Sequence, residues 1–121
     1  MDPVLEDEIN FNIGLCHMNM GNNSDAAARF KVVDNWKSHN LYGSLMAQEA
    51  NYEEGLVALN KALLNEEART DYSAWFNAAL CALHLGKKKE SLELFLGAAK
   101  VEPENEQALT AIKVNGLYDI V

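Results

Sequence analysis

A chain of 121 residues is long enough for one hydrophobic core and too short for several domains. Hydrophobic residues make up 49% of it, with two prolines and seven glycines, which excludes a disordered tail and a glycine- and proline-rich fibre. Eighteen acidic and ten basic residues leave a net charge of −8, a field that repels nucleic acid and favours basic protein partners.

Ala and Leu dominate the apolar set and β-branched residues form no alternating runs, so the chain is expected to be all-α. At the start, Ile9, Ile13, Cys16 and Met20 recur at i, i+4, i+7 and i+11, which predicts an amphipathic helix with this row as its core seam. Phe11, Leu15 and Met18 make a second apolar stripe beside it. The same helix sets Cys16, His17, Met18 and Met20, all able to ligate soft metals, within five positions. The stretch returns 65 residues later, where Asn12, Leu15, Cys16 and Gly21 become Asn77, Leu80, Cys81 and Gly86 while His17 becomes Ala82. An echo that keeps the apolar spacing and drops the imidazole describes packing, so no metal site is expected.

Further along, Ala50 stands where Gly21 and Gly86 end the first helices of the outer pairs. These turn positions are 29 and 36 residues apart, which predicts a short second helix in the first pair and extra residues around Glu66 to Arg69. After Gly86 a helix carries Leu92, Phe95, Leu96 and Ala99 on one face and is ended by Pro103. A seventh helix follows, with Ala108, Leu109 and Ile112 facing the last pair and Lys113 marking it as a cap. The apolar ending Leu117, Tyr118, Ile120 and Val121 either packs back on this cap or marks where a longer protein was cut.

Residues 72–105 place Trp75, Ala78-Ala79, Gly86, Phe95, Ala98 and Pro103 at spacings that resemble one complete tetratricopeptide repeat. Residues 7–33, with Gly14, Gly21, Ala26 and Phe30, resemble it more loosely. So do residues 40–68, with Tyr42-Gly43, Tyr52, Leu59 and Ala62. Ser91 and Gly55 depart from the pattern, each where alanine is usual. The resemblance implies three helical hairpins, at about 4–35, 38–69 and 71–103, stacked as a short right-handed solenoid. A capping helix at about 104–115 closes it.

The same resemblance implies a function: binding a peptide or helix of a partner protein in a concave groove lined by the first helix of each repeat. That lining would be Phe11, Asn12, Leu15 and Met18 from the first repeat, and Phe76, Asn77, Leu80 and His84 from the third. The middle repeat would add Lys37, Asn40, Leu41, Ser44, Ala47 and Gln48. Apolar walls would flank a small-residue floor at Ser44 and Ala47, with Asn12 and Asn77 free to bond a ligand's backbone. The alternative is that the apolar stripe packs under the chain's own termini. Where co-chaperones of this family hold the carboxylates of heat-shock chaperone tails with lysine, arginine and asparagine, this chain has Phe11, Leu15, Leu41, Ser73 and Asn77. Such a tail is therefore not the expected ligand.

No phosphate loop, nucleophile elbow or paired-cysteine metal spacing occurs, so neither catalysis nor a cofactor is expected. Cys16 and Cys81 sit in equivalent places two repeats apart, too far for a disulfide within one chain. With no signal peptide or membrane span in the sequence, a cytoplasmic or other reducing compartment is the expectation. The reading is an adaptor. Its alternatives are a structural subunit of a larger complex or homodimer, and a small secretion-type chaperone.

Overall fold

A computed structural model describes residues 2–117, and all statements below concern those residues. They form seven helices: α1 (Pro3–Asn19), α2 (Asn23–Lys31), α3 (Trp36–Gln48), α4 (Tyr52–Ala62), α5 (Tyr72–His84), α6 (Lys88–Val101) and α7 (Gln107–Val114). Each packs on the next in chain order, and α3 also touches α5 directly. A stack of helical hairpins results, in which α3 and α5 each lie between their own partner and the second helix of the pair before.

Local chemistry sets the helix ends. Three first helices begin at a side-chain cap: the Asp2 carboxylate accepts the Val4 N–H at 2.9 Å, Asn35 the Ser38 N–H at 2.8 Å, and Asp71 the Ser73 N–H at 2.9 Å. Each then stops at a residue in the left-handed region, Gly21 at φ 79°, Ala50 at 62° and Gly86 at 76°. At all three the same paired backbone bonds close the helix, from Gly21 to Met18, Ala50 to Ala47 and Gly86 to Leu83, with the next residue donating to the carbonyl one residue further back, His17, Met46 and Ala82.

The expected irregularities are present. Helix α2 has nine residues against fourteen in α6. The added residues after α4 make a 3-10 turn, Ala68–Thr70, which Arg69 ties down by donating to the Leu63 carbonyl at 2.8 Å. Trp75 Nε1 donates to the Arg69 carbonyl at 2.9 Å, fixing this turn against α5.

The core falls into two clusters. One joins Ala26, Ala27 and Phe30 of α2 to Leu45 of α3, and the other runs from α4 to α7 through Leu59, Cys81, Phe95 and Ile112. Gly14 is the buried residue of α1, and a Cβ built there would lie 2.6 Å from the Phe30 ring. Here the sequence expectation is corrected. Ile13 is half-buried, but Ile9 is 41% exposed, Met20 is 65% exposed and Cys16 is exposed, so that row is not the seam of α1. The helix instead lays Gly14, Phe11, Leu15 and Met18 on its neighbours. The positions equivalent to Ile9 and Cys16, namely Ser38 and Leu45 on α3 and Ala74 and Cys81 on α5, are buried against the preceding hairpin, and among the described residues no hairpin lies before α1.

Two smaller corrections follow the same geometry. On α6 the predicted Phe95 is fully buried and Leu92 and Ala99 pack against the core, but Leu96 is 39% exposed, and Ser91, Leu94 and Ala98 complete the buried line. Ser91 answers its own departure, since its hydroxyl donates to the Ala79 carbonyl at 3.0 Å in the interface where alanine would leave only contact. On α7, Ala108 and Ile112 are fully buried while Leu109 is 39% exposed. Leu117 folds back after Gly116 (φ 65°) and is fully buried on the cap. Tyr118, Ile120 and Val121, named above with it, lie outside the described residues.

Candidate functional site

The nominated residues separate into three settings. Phe11, Leu15 and Met18 are half-buried and pack on the first cluster, with Phe11 tilted against Phe30 at 5.6 Å between ring centres. Phe76, Leu80 and Leu83 do the same on the second cluster. Phe76 stacks on Tyr72 at 5.5 Å and meets Phe95 edge-on at 5.6 Å. Both stripes therefore serve the core with one side and keep part of their surface open.

Between them α3 and α5 meet through polar groups. Asn77 Nδ2 donates to Ser44 Oγ at 3.0 Å, and Ser44 Oγ donates to the Asn40 carbonyl at 2.8 Å. Asn40, only 8% exposed, donates from Nδ2 to Asp71 Oδ2 at 3.4 Å, and its Oδ1 is buried without a partner. Asp71 was not foreseen as part of this face, although an Asp directly before the apolar run of α5 is the usual helix-start signal. Its carboxylate caps α5 through the Ser73 N–H and also accepts the Ser73 hydroxyl at 2.7 Å. The two hydrogen-bonded asparagine and serine side chains make a ladder between helices that the sequence placed 33 residues apart.

The remaining nominees stand apart from that ladder. Asn12 and Gln48 are exposed, and Asn12 keeps its amide for solvent or a ligand, unlike Asn77. His84 is exposed and stacks face to face on Tyr52 of α4, 4.2 Å between centres and 4° from parallel. Tyr52 was not nominated and is the contact that fixes this imidazole.

A separate cleft of about 470 Å³ opens between α2, α3 and α4, lined by Phe30, Tyr42, Glu54, Val57 and Ala58 among others. There Tyr42 donates to Glu54 Oε2 at 2.8 Å. Desolvation, then this hydrogen bond and the adjacent charge, push the Tyr42 phenol up to about 12. Burial alone pushes the Cys81 thiol up to about 11. Among the described residues no group of three or more His, Cys, Asp or Glu side chains is arranged to hold a metal ion. No described helix is long and apolar enough to cross a membrane.

Residues 72–105 match the family model of the tetratricopeptide repeat. The fold is that of tetratricopeptide-repeat domains. A crystal structure of MamA superposes with a TM-score of 0.79 at 20% identity, over 93% of this chain and 70% of that one. The first such domain of Spaghetti (RPAP3), solved with the HSP90 peptide SRMEEVD, gives 0.81 at 14% identity over 94% and 93% of the two chains. The Arabidopsis OM64 domain gives 0.79 at 17% identity over 95% and 96%. No curated protein sequence matches the chain. In the third repeat, Trp75, Phe95 and Pro103 take their family places: Phe95 is fully buried and Trp75 rests against Gly97, where a Cβ would come within 2.4 Å of the indole.

Proposed function

We propose that this chain is a protein-interaction adaptor that holds a peptide or helix of a partner along the face formed by α1, α3 and α5. The observation that carries this reading is the composition of that face. A polar ladder, Asn40, Ser44 and Asn77, lies between two half-buried apolar walls, Phe11/Leu15/Met18 and Phe76/Leu80/Leu83. The ladder joins α3 to α5 between the walls, the exposed Asn12 amide offers hydrogen bonds to an extended or helical backbone, and the walls take apolar side chains.

The related domains of RPAP3 are described with the acidic peptides SRMEEVD and SGPTIEEVD. In this chain the positions that would grip such a carboxylate are Phe11, Leu15, Leu41, Ser73 and Asn77, and the Asp71 carboxylate lies beside Asn40. An anionic tail would meet the Asp71 carboxylate, with Lys37 the one lysine on this face where a carboxylate clamp uses several cations. Its desolvation would go largely uncompensated. The ligand is therefore apolar with neutral or basic character.

The test is selection from a displayed library of short random peptides, followed by titration of the enriched sequences and of SRMEEVD. Enrichment of apolar sequences carrying Lys or Arg, with dissociation constants near micromolar, is expected, as is weakening of about tenfold or more by Phe76→Ala. Selection of acidic C-termini would refute the charge argument. An empty selection, or enriched peptides indifferent to Phe76→Ala, would refute the groove.

A further inference from the structure

The second apolar row of α1 is unexplained by that groove. Leu5, Ile9, Cys16 and Met20 point away from the core and are exposed, Leu5 by 48% and Met20 by 65%. The counterparts of Ile9 and Cys16 inside the stack are covered, whereas those of Leu5 and Met20 fall at the helix ends, where Asp34, Thr70 and Glu49 are exposed. Ile9 corresponds to Ser38 and Ala74, both fully buried, and Ser38 bonds the Phe30 carbonyl of the preceding α2 at 2.8 Å. Cys16 corresponds to Leu45, packed on Ala26, Ala27 and Phe30 of α2, and to Cys81, packed on α4. The Cys81 sulfur lies 3.1 Å from where a Cβ on Gly55 would stand. The open row of α1 is thus the same inter-repeat surface that the molecule closes twice internally with a second helix. A repeat face exposed only to water would carry polar residues there.

We propose that this face docks an amphipathic helix from a separate, basic protein partner, seated on α1 as α4 is seated on α5. The internal pairings describe its contact face: small residues where the backbones approach, as at Ala26, Ala27 and Gly55, with a bulky apolar group one turn on, as at Phe30 and Leu59. Charge selects against a second copy. The row is bordered at its start by Asp2, Glu6 and Glu8, which attract Lys or Arg on the flanks of an incoming helix. Another copy would bring a further net charge of −8 and second helices already committed within its own stack.

Cys16 provides the readout, because it is exposed in the middle of the row while Cys81 is fully buried. The probe is a synthetic helical peptide carrying the α4 pattern of Gly55, Leu56, Leu59 and Ala62, with lysines on its flanks. Saturating binding by fluorescence anisotropy is expected, with alkylation of Cys16 slowed at least tenfold in the complex. Ile9→Lys, at a residue with open surface, should weaken binding at least tenfold while leaving the helical circular dichroism unchanged. Phe76→Ala should leave it unchanged, which separates this site from the groove. Failure to bind, or binding insensitive to Ile9→Lys, would overturn the proposal. A dimer in light scattering that Ile9→Lys dissolves would overturn it in favour of a second copy.

Discussion

Replacing Ala50 by glycine should stabilise the protein. Ala50 sits at φ 62°, in the same helix-ending turn that Gly21 and Gly86 occupy in the other two hairpins. Its bonds are as good as theirs: the Ala50 N–H reaches the Ala47 carbonyl at 3.0 Å and the Asn51 N–H reaches Met46 at 2.8 Å. At Gly86 the corresponding distances are 3.1 and 2.9 Å. The difference between the turns is therefore the Cβ, whose left-handed strain costs roughly 1–2 kcal/mol. Glycine returns about 0.4–1 kcal/mol of that through the greater freedom of the unfolded chain. A net gain of about 0.5–1 kcal/mol remains, which for a domain of this size raises Tm by about 2–4 °C. The reverse change, Gly86→Ala, should cost a similar amount, because nothing lies within 4 Å of the added methyl and strain acts alone. Both variants are read by urea and thermal unfolding. If Ala50→Gly is neutral or destabilising while Gly86→Ala destabilises, the three turns are not equivalent and the reasoning fails.

Gly14→Ala should cost about 1–3 kcal/mol in urea unfolding, since its Cβ would fall 2.6 Å from a Phe30 ring carbon and force the first two helices apart. A thiol reagent at neutral pH should titrate one cysteine rapidly, Cys16, and the second only after denaturation, because Cys81 is fully buried and its thiol is pushed up to about 11. Two fast thiols in the native protein would contradict the buried α4–α5 contact. Stability should be level below pH 9 and fall as pH rises to about 12. Cys81 moves from 9.0 to about 11 on folding and Tyr42 from 10.0 to about 12, so both hold protons more tightly when folded and lose that advantage as they ionise. Tyr42→Phe should remove the upper part of the decline, measured as the urea midpoint against pH.

The sequence by itself determined the helices, their stops and their pairing. The positions of Gly21, Ala50 and Gly86 announce stops, and the uneven spacing of those stops gives the short α2 and the added turn before α5, while the caps at Asp2, Asn35 and Asp71 emerged only with the structure. These are local matters of backbone geometry and hydrogen bonding, written within a few residues. Which apolar row faces inward was decided only by tertiary structure. Ile9 and Met20 have the same helical spacing as a core seam, yet a first helix in this stack has two apolar sides, and α1 has a neighbour for one. Leu96 and Leu109 were misplaced for the same reason, since periodicity gives the existence of a face and not the direction from which it is covered. The candidate site divides the same way. Phe11, Leu15, Phe76 and Leu80 were legible as stripes, whereas the ladder of Asn40, Ser44 and Asn77 arises from residues on different helices brought within 3.0 Å by stacking. Side chains that bond across a repeat interface leave no periodic trace along the chain, because their partners are set by packing and not by sequence distance.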